Sequence, residues 1–205
     1  MKHESSRDEH YYARQPKSRP NLGLIRTHLR GRFFEFLTSS SVFSKERVDP
    51  GTRLLVESMV LPEEGQALDL GCGYGTVGIV AATVNPGLHL VMVDVNERAV
   101  WLARENARRH RVENVEVRRG VLYEPVGNMK FDTVLCNPPM SAGMQTVLPM
   151  VTDAPEHLKR GGLLQLVVRS KTGSTRLSSE LEKTFGNVRV LARKSGYRVL
   201  LSKKS

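Results

Sequence analysis

Beyond Pro62 the chain switches back and forth between two hydrophobic periods: short apolar runs of strand length, and longer segments with apolar residues at helical spacing. Ala67–Leu70, Leu88–Val93, Val115–Arg118 and Asp132–Cys136 read as strands. Thr76–Val84 is apolar nearly all round, which predicts a buried helix. Glu97–His110 predicts an amphipathic helix, with Val100, Trp101 and Leu102 near its start and arginines toward its end, where the dipole favours cations. Met144–Leu158 reads as a helix, Leu163–Val168 as a fifth strand after a Gly161-Gly162 turn, and Ser178–Phe185 as a last helix. Val188–Ala192 and Arg198–Leu201 are closing strands separated only by Arg193 to Tyr197. That link is too short for a parallel crossover, so the pair predicts an antiparallel hairpin at one sheet edge. The alternation as a whole predicts an α/β fold: a mostly parallel seven-stranded sheet, doubly wound, with helices on both faces.

Upstream of Pro62 the pattern is different. Phe34 and Phe36 flank Glu35 at the period of a half-buried strand, and apolar runs on either side of Arg30-Gly31-Arg32 suggest a short hairpin. Asp49-Pro50-Gly51-Thr52 is a helix start, with Asp49 as cap and Pro50 at the first helical position. Leu54, Leu55, Ser58 and Met59 would form the inner face of that helix. The expected organisation is a basic N-terminal extension over residues 1–48 and one catalytic domain over 49–205.

Composition narrows the setting. The 205 residues are 40% hydrophobic and 25% charged, enough for one domain with a full core. No apolar run approaches the roughly 20 residues of a membrane span, and Met1 to Pro20 is polar, without the hydrophobic region of a secretory signal. Cys72 and Cys136 are the two cysteines, read as small packing residues in a reduced, cytoplasmic protein without a metal site. The net charge of +10 is uneven: residues 1–32 hold 8 Lys/Arg against 3 Asp/Glu, and residues 159–205 hold 12 against 2. A basic periphery around a mildly acidic centre suits a polyanionic partner gripped at its margins.

The candidate chemistry lies at two points. Asp69-Leu70-Gly71-Cys72-Gly73-Tyr74-Gly75 follows the first strand of the alternating region. Ligands in open α/β sheets bind outside the carboxyl ends of strands, and glycines there let backbone approach a ligand closely. Asp69 is placed to accept from the ammonium of a methionine moiety, and Asp94, 19 residues beyond Gly75, from both ribose hydroxyls. Gly73, Gly75 and Gly78 also satisfy a dinucleotide spacing. Against a nicotinamide cofactor, Asp69 would repel a pyrophosphate, and no second domain is evident for a hydride acceptor. A purely structural turn is the third alternative.

Asn137-Pro138-Pro139-Met140 follows the fourth strand. A conjugated exocyclic amine is a poor nucleophile, and the Asn137 side-chain oxygen and Pro138 carbonyl are expected each to accept one of its N–H groups. The two prolines fix the backbone so that these acceptors are aimed in advance. A rigid strand-ending turn is the bland alternative. Together the two motifs, with Asp94 between them, indicate S-adenosylmethionine-dependent amino-group methylation.

With these motifs the chain resembles the small-subunit ribosomal RNA guanine-N2 methyltransferases, in particular their short single-domain archaeal-type members, within the Rossmann-like class I methyltransferases. The matching stretches are Ser41-Val42-Phe43-Ser44, Val48 to Thr52, Leu68 to Gly75, Cys136 to Pro139, Gly143-Met144-Gln145-Thr146, Phe185 to Val188 and Gly196 to Leu200. The resemblance implies S-adenosylmethionine held by Asp69, Gly71, Cys72, Gly73, Gly75, Asp94, Val95, Val121, Leu122 and Asn137. It implies Asn137, Pro138 and Pro139 as the catalytic set, Phe43 and Met140 against the substrate base, and ribosomal RNA or the small ribosomal subunit as partner, with a monomer favoured. Two positions depart from the family pattern. Val121 stands where an Asp commonly accepts from the adenine amino group, and Met140 where an aromatic residue commonly stacks on the base. The alternatives are methylation of a protein glutamine amide, or a non-catalytic RNA-binding assembly factor.

Overall fold

The computed structural model describes residues 21–205, apart from Ser41, Phe43, Lys45 and Lys171 to Gly173. Phe43, expected against the substrate base, therefore lies outside the described residues. Among the described residues no helix is long and apolar enough to cross a membrane.

The centre is a seven-stranded sheet. Its strands are β3 (Gly65–Leu70), β4 (Leu88–Asp94), β5 (Val115–Arg119), β6 (Phe131–Cys136), β7 (Leu158–Arg169), β8 (Arg189–Lys194) and β9 (Tyr197–Lys203). They lie in the order β5-β4-β3-β6-β7-β9-β8. The first five in that row are parallel, whereas β9 runs antiparallel to both β7 and β8. From β3 the chain winds outward to β5 and then returns to β6 on the other side, so the strand order reverses between β3 and β6. Ligands bind at such a reversal.

The strands are apolar on both faces because both are covered. Ala67, Leu90, Met92, Leu135 and Val199 point to one core; Leu68, Leu70, Val91, Val134 and Leu200 point to the other. The first core is closed by α1 (Pro50–Ser58), α2 (Thr76–Val84) and α3 (Glu97–Arg109). Asp49 caps α1 by accepting from the Thr52 N–H at 3.0 Å. Asn96 caps α3 by accepting from the N–H groups of Arg98 and Ala99. The second core is closed by α4 (Met144–Val147), α5 (Pro149–Thr152), α6 (Ala154–His157) and α7 (Ser174–Phe185).

Residues 144–158 therefore do not form the single helix expected from their apolar spacing. Pro149 and Pro155 each lack an N–H and clash with the preceding turn, so the segment folds as three separate four-residue turns. The Gly161-Gly162 pair is likewise not a turn before a strand. β7 already begins at Leu158, and the glycines form an irregularity in its pairing with β6, where Phe131 faces Leu158 but Thr133 faces Leu163.

β1 (Leu22–Leu29) and β2 (Arg32–Ser39) form a separate antiparallel hairpin through the tight Arg30-Gly31 turn, where both residues have positive φ. Phe34 and Phe36 point inward and are almost fully buried. Phe36 lies 5.8 Å from the Tyr74 ring and 5.1 Å from His110. The polar tie is Asn106 on α3. Its carboxamide accepts from the Leu37 N–H at 2.7 Å and donates to the carbonyls of Leu37 and Tyr74, both at 2.9 Å. Asn106→Ala strands three backbone groups at once, the buried Tyr74 carbonyl and the half-buried Leu37 N–H and carbonyl. It is expected to lower the unfolding free energy by about 2–4 kcal/mol. The urea midpoint measures this, and a shift worth under about 0.5 kcal/mol would show that water replaces the carboxamide at no cost.

Candidate active site

The carboxyl ends of β3, β4 and β6 open into one cavity of about 440 Å³, within the range of small-molecule and cofactor sites. Its floor is the loop after β3. Gly71, Gly73 and Gly75 all adopt positive φ. At Gly75, which begins α2, a side chain would also meet Ile79 at 2.9 Å and Ala103 at 3.3 Å. Glycine there lets the loop turn sharply while α2 packs against α3.

Asp69 is buried, and one of its oxygens accepts from the Gly78 N–H at 2.9 Å. Desolvation pushes its carboxyl up to about 7; the Gly78 N–H opposes the shift and the neighbouring Asp94 adds to it. Asp94 ties the loop to β4: Oδ2 accepts from the Gly73 N–H and Oδ1 from the Asn96 N–H, each at 2.8 Å. Desolvation raises its pKa too, against the pull of these N–H bonds and that of Val95. Two carboxyl groups without a cationic partner among the described residues make the cavity receptive to ammonium and hydroxyl donors and hostile to a pyrophosphate. That electrostatic character favours a methionine-bearing nucleoside over a dinucleotide.

Asn137, Pro138 and Pro139 leave β6 on the same cavity wall. The Asn137 Nδ2 donates to Thr52 Oγ1 at 2.8 Å and approaches Asp49 Oδ2 at 3.3 Å. The Pro138 carbonyl accepts from the Met140 N–H at 2.9 Å, which leaves it one lone pair for a ligand.

Asp69, Gly71, Cys72, Gly73, Asp94, Val95, Val121 and Leu122 all line this cavity together with Asn137, Pro138 and Pro139. Gly75 does not line it, because it sits behind the loop against Ala103. Met140 is also absent from the lining; it is half-buried against the second core. Cys72 and Cys136 are buried free thiols whose pKa values burial pushes up, consistent with packing. Sequence reasoning passed over Val42, Thr52, Gln145, Thr146 and Met150 as cavity walls. Val42, Gln145 and Thr146 belong to the stretches that carry the family resemblance, and Thr52 to the start of α1. Met150 was hidden inside the supposed single helix, whose breaks bring Tyr123 Oη within 2.8 Å of the Met150 carbonyl.

Residues 34–201 match the family described as the methyltransferase small domain. The chain is 39% identical over 198 residues to the uncharacterized protein YbxB of Bacillus subtilis (strain 168), covering 96% of this chain and 98% of that one. It is 33% identical over 171 residues to the ribosomal RNA small subunit methyltransferase C of Photorhabdus laumondii subsp. laumondii, covering 82% of this chain and 49% of that one. This chain thus spans about half the length of the curated methyltransferases it matches. Among solved structures it is similar to the T. thermophilus 16S rRNA N2 G1207 methyltransferase (RsmC) in complex with AdoMet and guanosine. The TM-score is 0.81 at 25% identity, covering 93% of this chain and 52% of that one.

Proposed function

The chain belongs to the methyltransferase small-domain family, and from that premise we propose that it methylates the N2 amine of a guanine in small-subunit ribosomal RNA, using S-adenosylmethionine. The observation that carries this reading is that the glycine loop, Asp94 and Asn137 bound one cavity, so donor and acceptor groups would meet there. When bound, S-adenosylmethionine supplies an electrophilic methyl group on a sulfonium. Asp69 and Asp94 would hold its ammonium and ribose ends, and Val95, Val121 and Leu122 would pack on its base. Asn137 Oδ1 and the free lone pair of the Pro138 carbonyl would accept the two N–H groups of the target amine. Both hydrogen bonds strengthen as that nitrogen becomes positive, so they favour the transition state over the bound substrate. Pro138 and Pro139 exclude water and keep the acceptors fixed.

A guanine amine inside a helix cannot reach such a wall, so the target base is unpaired or flipped out. The basic residues concentrated in 159–205 would grip the surrounding phosphates. The proposal is tested by incubating the protein and labelled S-adenosylmethionine with ribosomal RNA, transfer RNA and total protein. Label is expected in guanine of the ribosomal RNA; label confined to protein would defeat the RNA assignment.

The raised pKa of Asp69 gives a second check. A ligand ammonium favours the ionised carboxylate, whereas burial favours the protonated acid, which predominates below about pH 7. Affinity for S-adenosylmethionine should therefore be full above that pH and fall by up to about tenfold per unit below it. Asp69→Asn keeps an acceptor for the Gly78 N–H and should remove this acid limb. Calorimetric titrations from pH 5.5 to 8.5 would show it, and identical profiles for both proteins would exclude Asp69 as the ammonium partner.

A further inference from the structure

The N-terminus of α1 reaches across 85 residues of sequence to the Asn137 carboxamide. Asp49 Oδ2 receives the Thr52 N–H at 3.0 Å and lies 3.3 Å from Asn137 Nδ2, while Thr52 Oγ1 accepts from the same Nδ2 at 2.8 Å. A carboxylate can only accept, so it must be the amide nitrogen that faces α1. The planar carboxamide then points Oδ1 away from α1. A flipped amide would set its oxygen against the Asp49 carboxylate and present N–H groups to an incoming amine, donor against donor. Tyr197 Oη stands 3.5 Å from Asp49 Oδ1, and Arg169 donates to Tyr197 Oη at 3.0 Å, which holds the carboxylate from its other side. The absence of a side chain at Gly51 permits this assembly, since a Cβ there would lie 2.8 Å from Asp49 Oδ2 and 2.9 Å from the Tyr197 ring.

We propose that Asp49 and Thr52 are positioning residues for methyl transfer: they commit the Asn137 amide nitrogen to α1 so that its oxygen alone is offered to the acceptor amine. The Asp49 charge also polarises the carboxamide. Electron density shifts toward Oδ1 at the moment the amine nitrogen becomes cationic, and the two charges lie on opposite sides of one amide group. This role rests on Asn137 acting as the amine clamp. Asp49 has two roles, helix cap and amide partner, and they are separable. Serine caps a helix about as well as aspartate but carries no charge.

The test measures turnover with labelled S-adenosylmethionine and small-subunit ribosomal RNA, together with S-adenosylmethionine binding by calorimetry. Asp49→Ser and Thr52→Ala should each lower kcat about ten- to a hundredfold, with affinity for S-adenosylmethionine and thermal midpoint little changed. Thr52→Ser, which restores the hydroxyl, should restore turnover. In an Asn137→Ala background neither change should matter further, because the group they position is gone. Amide spectroscopy provides a readout independent of turnover. The side-chain N–H pair of Asn137, assigned by its loss in Asn137→Ala, should move in Thr52→Ala and return in Thr52→Ser. Unchanged amide signals in Asp49→Ser and Thr52→Ala would overturn the proposal, as would full additivity with Asn137→Ala. If Asn137→Ala itself retained full turnover while the amide signals moved as stated, the clamp reading would fail and the α1–Asn137 lock would stand as architecture alone.

Discussion

Asn137→Ala is expected to lower the turnover of methyl transfer by about 10²-fold or more, the scale seen when one preorganised transition-state hydrogen-bonding group is removed. The magnitude follows from what the proposed clamp would do at each stage. In the ground state the target amine is neutral and conjugated, and an accepting oxygen contributes little. As the nitrogen gains a bond to carbon it becomes positive and its N–H groups become stronger donors. The loss therefore falls mainly on kcat. Affinity for S-adenosylmethionine should change less, because Asp69, Asp94 and the glycine loop are untouched. Single-turnover rates together with calorimetric binding separate the two quantities. Wild-type turnover in this variant would remove the catalytic assignment.

The second large effect is expected at Asp94. Its carboxylate accepts from Gly73 and from Asn96, so it fixes the loop before any ligand arrives, and it also lines the cavity. Asp94→Ala loosens the loop and removes a charge-assisted acceptor worth about 1.5–3 kcal/mol to a bound ligand. Affinity for S-adenosylmethionine should fall by about ten- to several-hundredfold. Turnover should largely recover at saturating cofactor, the reverse of the Asn137 signature. Asp94→Asn, which keeps one acceptor oxygen, should fall between the two. An unchanged dissociation constant in Asp94→Ala would mean that the ribose hydroxyls are held elsewhere.

The contrast between these variants shows how the site was legible. Asp69, the glycine loop, Asp94 and Asn137 could be placed together from sequence because each ends or follows a parallel strand. Parallel strands bring such positions to one edge of a sheet whatever the loops do. The α1 cap was legible for a local reason, since Asp49 bonds a backbone N–H only three residues away. The contact of the same residue with Asn137 was not, because nothing in the hydrophobic period encodes a polar bond between segments 88 residues apart. Residues 144–158 misled for a different reason. Their apolar spacing is helical, yet Pro149 and Pro155 divide them, and the resulting turns carry Gln145, Thr146 and Met150 to the cavity. Met140 is partly buried against the second core, a contact that its place after Asn137-Pro138-Pro139 does not reveal.

The interleaving of the last two strands has a consequence for synthesis. β8 leaves the ribosome before β9, yet its place is at the sheet edge beyond β9, so it has no partner until β9 has followed it out and folded back on it. During that interval β8 is a bare ribbon of donors and acceptors, the kind of segment on which nascent chains stick to one another. Arg189, Arg193 and Lys194 lie along it. Their mutual repulsion would hold neighbouring polypeptides apart until the sheet closes, so the edge charge would act first as a guard against misassembly.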